Sequence, residues 1–269
     1  RRLDPSRLFL LSSGRFESCF EVGSASNPGS YAWENVWGDD GADKPEYRGF
    51  NPYAVSMSAP GSGDFHDYPI VPHPPEVVER IRSFGAGTKP VFLSEYGIGS
   101  LFHVIDEWRQ FEQHHTRADL EDASWLAYQA NSLLRDWARF GLESVYPFPE
   151  QMLNDSYRLS ARYRIIGFNL IRSNPNLCGF NLTGLLDHGF SGEGLWSYWR
   201  RNKPAMFDAV ADGWSPLRWC LFATPTHAYA GRPFQVEAVL ATEDALQPGR
   251  YPASFAIVGE QGPVWRQDA

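Results

Sequence analysis

Residues 90–97, with the sequence PVFLSEYG, are the most informative segment of this chain about its fold. A proline opens the segment, an apolar run follows, and a Ser-Glu pair stands before Tyr96 and Gly97. A short apolar run between Pro and Gly is typical of a strand that is covered on both faces, as in a parallel sheet. A carboxylate at the end of such a strand costs several kcal/mol unless it is paired or hydrogen-bonded. The position of Glu95 therefore predicts either a structural ion pair or a functional role.

Three other segments have a similar strand pattern, at residues 7–13, 63–69 and 177–184. Helical segments alternate with them, and this order of strand and helix predicts an α/β protein with a parallel sheet. In such folds the functional side chains gather at the carboxyl ends of the strands. The candidates at these ends are residues 64–68, Glu95 with its neighbours, and residues 181–187.

Four helices follow from apolar residues at helical spacing. A Pro-Pro pair opens the first, which places Val77, Val78, Ile81 and Phe84 on one face. Asp119 is the predicted N-cap of the second, which continues to about Trp137. The third is predicted over residues 152–172 and the fourth over residues 203–212.

Two regions depart from this alternation. Residues 14–62 show no clear period and contain Trp33 and Trp37, so they are interpreted as a functional insertion. After residue 214 apolar residues alternate with polar ones, which predicts the start of an antiparallel β-sandwich domain. The predicted domains are therefore residues 1–213 and 214–269.

The composition limits the classes of partner. The net charge of −8 argues against a nucleic-acid partner, because phosphates need a field of the opposite sign. No apolar stretch is long enough to predict a membrane-spanning helix. The three cysteines show no disulfide or metal spacing, and no cofactor or metal is predicted. Aromatic residues make up 15% of the chain, with 10 Trp, as in sugar-stacking surfaces and also in large cores.

The segment around Glu95 resembles the nucleophile segment of glycoside hydrolase family 2, which includes β-galactosidases, β-glucuronidases and β-mannosidases. Residues 3–7, 64–69 and 180–196 resemble the segments of the fifth, sixth and eighth barrel strands of that family. Residues 203–269 resemble its linker helix and the opening strands of its β-sandwich. The resemblance implies the second half of a (β/α)8 TIM barrel, strands 5–8, followed by the start of an all-β sandwich.

The resemblance also implies an activity, the retaining hydrolysis of a β-linked glycan through a covalent intermediate on Glu95. Tyr68 matches the tyrosine that orients the nucleophile. The substrate-binding residues expected from the resemblance and from the aromatic side chains are His66, Asp64, Trp33, Trp37, Glu193 and Trp196.

Two departures from the family qualify this expectation. The family acid/base belongs to an Asn-Glu pair, and no such pair occurs in this chain. The acid/base and the first four strands are therefore expected in an N-terminal part of a longer polypeptide, and this chain alone is expected to be inactive. The eighth strand has Asn181-Leu182-Thr183 where many relatives carry a Trp, so the identity of the sugar stays open.

Other interpretations remain open. The chain could be an inactive carbohydrate-binding relative, or a retaining glycosidase of another barrel family. A metal-dependent hydrolase fits less well, since His114 and His115 are adjacent and cannot share one helix face. The compartment is not determined, although a bacterial periplasmic or secreted location is favoured over a cytoplasmic one.

Overall fold

The computed structural model describes residues 64–84, 91–115, 120–189, 191–226 and 229–269. Within these residues parallel strands and helices come first and antiparallel strands follow. The elements in chain order are β1 (Asp64–Asp67), α1 (Pro75–Ser83), β2 (Val91–Tyr96), α2 (Val104–Gln113), α3 (Glu121–Phe140), α4 (Pro149–Arg172), β3 (Leu177–Leu182), α5 (Met206–Gly213), β4 (Leu217–Thr224), β5 (Gln235–Thr242), β6 (Ser254–Gly259) and β7 (Gly262–Asp268).

The strands β1, β2 and β3 form one parallel sheet in that order. Its central strand is apolar because helices cover it: Leu93 and Tyr96 are fully buried against Ile81 of α1 and Leu170 of α4. Burying side chains of this size contributes about 1.5–3 kcal/mol each. The parallel strands predicted at residues 63–69, 90–95 and 177–184 are therefore confirmed.

A second core lies between α2, α3 and α4, where Ile105, Leu126 and Leu153 are buried together. Helix α2 was missing from the sequence prediction, although Val104, Ile105 and Phe111 fall on one buried face. Helix α3 begins at Glu121, two residues after the predicted cap, and Asp119 lies outside the described residues. No helix in the described part of the chain has the length and apolarity needed to cross a bilayer.

The antiparallel strands form two separate ribbons, β4 with β5 and β6 with β7. The first ribbon is fastened to α4. Asn169 Nδ2 donates to the Leu221 carbonyl at 2.9 Å, and Arg218 Nη2 donates to Asn169 Oδ1 at 2.8 Å and Asp212 Oδ2 at 2.7 Å. Helix α5 ends at Gly213 and β4 begins at Leu217, so the predicted change from helical to alternating spacing of apolar residues falls between them. The division into two domains stays a prediction.

The expected (β/α)8 barrel with a following sandwich is wrong for the described residues. Their parallel strands form an open three-stranded sheet, and their antiparallel strands form two-stranded ribbons. A barrel closes only when its last strand pairs with its first, whereas β1 and β3 are the edges of the described sheet. Periodicity predicts that a segment is a strand, but closure depends on pairing between distant segments. The strand predicted at residues 7–13 lies outside the described residues.

Candidate functional site

The candidate site lies where the three parallel strands end. His66 of β1 is the register partner of Glu95 in β2, and Tyr96 is the partner of Leu182 in β3. Two backbone hydrogen bonds continue the pairing beyond the strands, from Gly97 N to the Asp67 carbonyl at 3.3 Å and from Thr183 N to the Tyr96 carbonyl at 3.0 Å. The sheet therefore brings the ends of all three strands together.

At these ends the Tyr68 hydroxyl donates a hydrogen bond to Glu95 Oε2. Tyr68 Oη also lies 3.2 Å from Thr183 Oγ1. A phenol has only one proton, and Tyr68 donates it to Glu95, so the Thr183 hydroxyl is the donor to Tyr68 Oη. Burial raises the pKa of Tyr68 well above its usual value, and the hydrogen bond to Glu95 raises it further. Tyr68 is therefore a neutral donor throughout the physiological pH range.

Gly97 has no side chain, and the Tyr68 ring occupies the space where one would lie. A β-carbon at Gly97 would lie 2.7 Å from Tyr68 Cε1 and 3.1 Å from Glu193 Oε1. Contacts under 3.0 Å are closer than real side chains tolerate. The Tyr68 ring and the Glu193 carboxylate therefore both lie against Gly97, and any side chain there would displace the ring.

Glu193 adds a second carboxylate beside Glu95. Burial raises the pKa of the half-buried Glu193, and the negative charge of Glu95 raises it further, whereas Arg164 and His188 lower it. Its backbone carbonyl accepts a hydrogen bond from Arg164 Nη2 at 2.6 Å. The two carboxylates thus belong to one electrostatic environment at the strand ends.

A buried ion pair holds the loop that carries Glu193. Lys203 Nζ lies 2.6 Å from Asp187 Oδ1, and both side chains are fully buried. Lys203 Nζ also donates to the Gly192 carbonyl at 2.8 Å, and Asp187 Oδ1 accepts from Gly194 N at 2.8 Å. Because these partners flank residue 193 on both sides, the ion pair fixes the backbone of Glu193.

A further ion pair involves Asp67, the residue before Tyr68. The buried Asp67 carboxylate forms an ion pair with Arg80 of α1 at 2.6 Å. Burial raises the pKa of Asp67, and the charge of Arg80 opposes this effect. The contact ties the end of β1 to α1 and supports the backbone that presents Tyr68.

The other residues predicted for the site have different environments. The Trp196 indole donates to Asn202 Oδ1 at 2.8 Å and packs against the Phe207 ring at 5.0 Å between centroids. It belongs to the core with Leu195 and Met206, so its described contacts are structural. Asp64 and His66 lie in β1, but their side chains are outside the described part, as are Trp33 and Trp37.

Two buried cations that hold the loop of Glu193 were not predicted from the sequence, Arg164 and Lys203. Arg164 is fully buried on the face of α4 that also holds Tyr157, Ala161 and Phe168. A charged residue on an apolar helix face is a signal that could have identified it. Lys203 gave no such signal, because it stands in a polar segment and only its tertiary contact with Asp187 explains its burial.

No protein-family model matches this chain, and a search of curated proteins finds no significant match. In the residues that the structure describes, no group of three or more His, Cys, Asp or Glu side chains is arranged to hold a metal ion. The functional assignment therefore depends on the geometry of the strand ends and on the sequence resemblance around Glu95.

Proposed function

We propose that Glu95 is the nucleophile of a retaining glycoside hydrolase that acts on a β-linked glycan or glycoside. The observation that carries the proposal is the hydrogen bond from Tyr68 to Glu95 Oε2 at the ends of two adjacent parallel strands. A glycosidase nucleophile must be ionised and oriented toward the anomeric carbon. A neutral phenol that donates to the carboxylate supports both requirements.

The proposed reaction has two steps. In the first, the Glu95 carboxylate attacks the anomeric carbon, the glycosidic C–O bond breaks, and the leaving oxygen takes a proton from a second carboxylic acid. In the second, that carboxylate removes a proton from a water molecule. The water oxygen attacks the anomeric carbon, the ester bond to Glu95 breaks, and the sugar is released. The resemblance places the second carboxyl in an Asn-Glu pair, so we expect it outside this sequence. No cofactor is needed.

The site also has the rigidity that this chemistry needs. Tyr68 is constrained from one side by Thr183 and from the other by Gly97, and β1 is tied to α1 through Asp67 and Arg80. Catalytic groups act efficiently when surrounding contacts hold them near the productive geometry. These contacts hold Tyr68, which donates the hydrogen bond to Glu95, at the ends of the strands.

Covalent trapping tests the proposal. The complete polypeptide that contains this chain is exposed to 2-deoxy-2-fluoro glycosyl donors, and its intact mass and peptides are measured by mass spectrometry. We expect one glycosyl adduct on the peptide that contains Glu95, and no adduct in Glu95→Gln. An adduct on another carboxylate would disprove the role of Glu95. Labelling by no donor would favour the inactive carbohydrate-binding alternative.

A further inference from the structure

The carboxylate of Glu193 has no role in the two chemical steps described above, yet it lies beside them. We propose that Glu193 is a substrate-positioning residue that accepts hydrogen bonds from sugar hydroxyls and makes the site select a neutral sugar over a uronic acid. This inference rests on the glycosidase function proposed for Glu95, and it names the substrate class of that site.

The Glu193 side chain lies against two glycines. A β-carbon at Gly97 would lie 3.1 Å from Glu193 Oε1 and 2.7 Å from the ring of Tyr68, whose hydroxyl donates to Glu95. A β-carbon at Gly99 would lie 3.4 Å from Glu193 Cγ. The side chain therefore extends along residues 97–99, immediately after the nucleophile strand. A sugar bound at Glu95 is within reach of this carboxylate.

The loop around Glu193 holds that position. Its carbonyl is bound by Arg164, and its amide donates to Ser191 Oγ at 3.3 Å. The neighbouring Gly192 carbonyl accepts from Ser100 N at 2.9 Å and from Lys203 Nζ at 2.8 Å. A fixed carboxylate can recognise sugar hydroxyls, because it accepts charge-assisted hydrogen bonds without first losing side-chain freedom.

The charges around Glu193 favour a neutral sugar. The two cations bound to its loop are engaged below the surface, since Lys203 and Arg164 are both fully buried and bind Asp187 and the Glu193 carbonyl. Glu95 and Glu193 are half-buried and present two negative charges at the strand ends. A sugar carboxylate beside Glu193 would meet like charge, which at about 4 Å disfavours binding by roughly 10- to 100-fold.

Matched pairs of donors test this selection. The complete polypeptide is labelled with the 2-deoxy-2-fluoro glucosyl and glucuronyl fluorides, and with the galactosyl and galacturonyl pair. The measured quantity is the second-order rate of labelling of the Glu95 peptide. We expect the neutral donor to be faster by at least roughly 10-fold in the wild type. Glu193→Gln, which keeps the shape and removes the charge, should reduce this ratio about 10-fold.

The control is Glu260→Gln, an exposed glutamate in the turn between β6 and β7, which should keep the wild-type ratio. Uronyl donors that label the wild type as fast as neutral donors, or an unchanged ratio in Glu193→Gln, would overturn the inference while Glu95 remained the nucleophile. Labelling by no donor would instead overturn the proposed function itself. If Glu193→Gln does not fold, the ratio of labelling rates is measured on the wild type at different salt concentrations instead. Selection by charge must weaken between 0.05 and 1 M salt, roughly the range in which screening becomes strong.

A third variant separates positioning from acid catalysis. If Glu193 were the acid/base, azide would restore turnover of an activated aryl glycoside in Glu193→Ala and yield a glycosyl azide. As a positioning residue, Glu193 should show no such rescue, and its loss should raise KM more than it lowers kcat. Azide rescue would therefore overturn the inference.

Discussion

The Tyr68 hydroxyl donates to Glu95 Oε2, although the two residues are 27 positions apart in the chain. The contact forms because β1 and β2 are parallel neighbours, with His66 opposite Glu95, so that Tyr68, the first residue after β1, lies beside the end of β2. The contact joins a residue that stays protonated to the carboxylate that we propose as the nucleophile.

Tyr68→Phe removes the donor to Glu95 and keeps the ring. A hydrogen bond to a charged group contributes about 1.5–3 kcal/mol, so kcat/KM should fall about 10- to 100-fold. The measurement is kcat/KM of the complete polypeptide that contains this chain. Tyr128→Phe, on the exposed face of α3, is the control. A kcat/KM for Tyr68→Phe equal to that of the wild type would show that the hydrogen bond does not assist the proposed reaction.

Glu95→Gln should abolish turnover and leave the fold intact, because an amide cannot form the glycosyl ester. We expect a loss of at least roughly 10³-fold in kcat, with a melting temperature close to that of the wild type. Turnover and thermal unfolding are measured on the same preparation. Wild-type activity in this variant would remove Glu95 from the mechanism.

Gly97→Ala should reduce activity by displacing Tyr68. The added methyl group would lie 2.7 and 2.8 Å from two ring atoms of Tyr68, so the ring must move away from Glu95. Gly99→Ala is the matched control, since its nearest contact of 3.4 Å is ordinary van der Waals contact. We expect kcat/KM to fall about 10-fold or more only for Gly97→Ala, in parallel with the loss of the Tyr68 hydrogen bond. Equal effects of the two variants would contradict this geometry.

Lys203→Met should destabilise the protein strongly, because it leaves the buried Asp187 carboxylate without its partner. Loss of one member of a buried pair costs about 3–5 kcal/mol. Arg158→Met, which breaks the exposed contact with Asp155 at 2.8 Å, should cost less than about 1 kcal/mol. Denaturant unfolding measures both. If the two variants lost equal stability, the Asp187–Lys203 pair would have no special role in holding the loop.

Glu107→Gln should change how stability depends on pH. Burial raises the pKa of Glu107 to about 6, although Ser197 and the Trp199 amide bind its carboxylate. Because the folded protein holds this proton more tightly than the unfolded chain, stability falls as pH rises from about 4.5 to 6. Above pH 6 the full cost, about 2 kcal/mol, is present.

The free energy of unfolding of Glu107→Gln, measured relative to the wild type, should therefore rise by about 2 kcal/mol between pH 4.5 and 7. The exposed Glu112→Gln on the same helix is the control and should follow the wild type. A constant difference between Glu107→Gln and the wild type across this range would show that Glu107 does not hold a proton more tightly in the folded state.

Local sequence determined the described parallel strands and most of the helices. The apolar runs of β2 and β3 and the helical spacing in α1, α3, α4 and α5 are properties of consecutive residues, and Pro and Gly mark their ends. The position of Glu95 after an apolar run also made it a candidate without any tertiary information. Helix α2 was missed, and its buried face combines Val104, Ile105 and Phe111 with the carboxylate of Glu107, which interrupts the apolar spacing.

Only the tertiary structure decided how these segments pair and what surrounds the candidate residues. Whether strands close into a barrel, whether Trp196 packs on Phe207, and whether Lys203 meets Asp187 all depend on contacts between distant residues. Such contacts depend on which segments pair and on how well charges are buried and compensated. Local periodicity carries no information about either, because it records only which face of each segment is apolar.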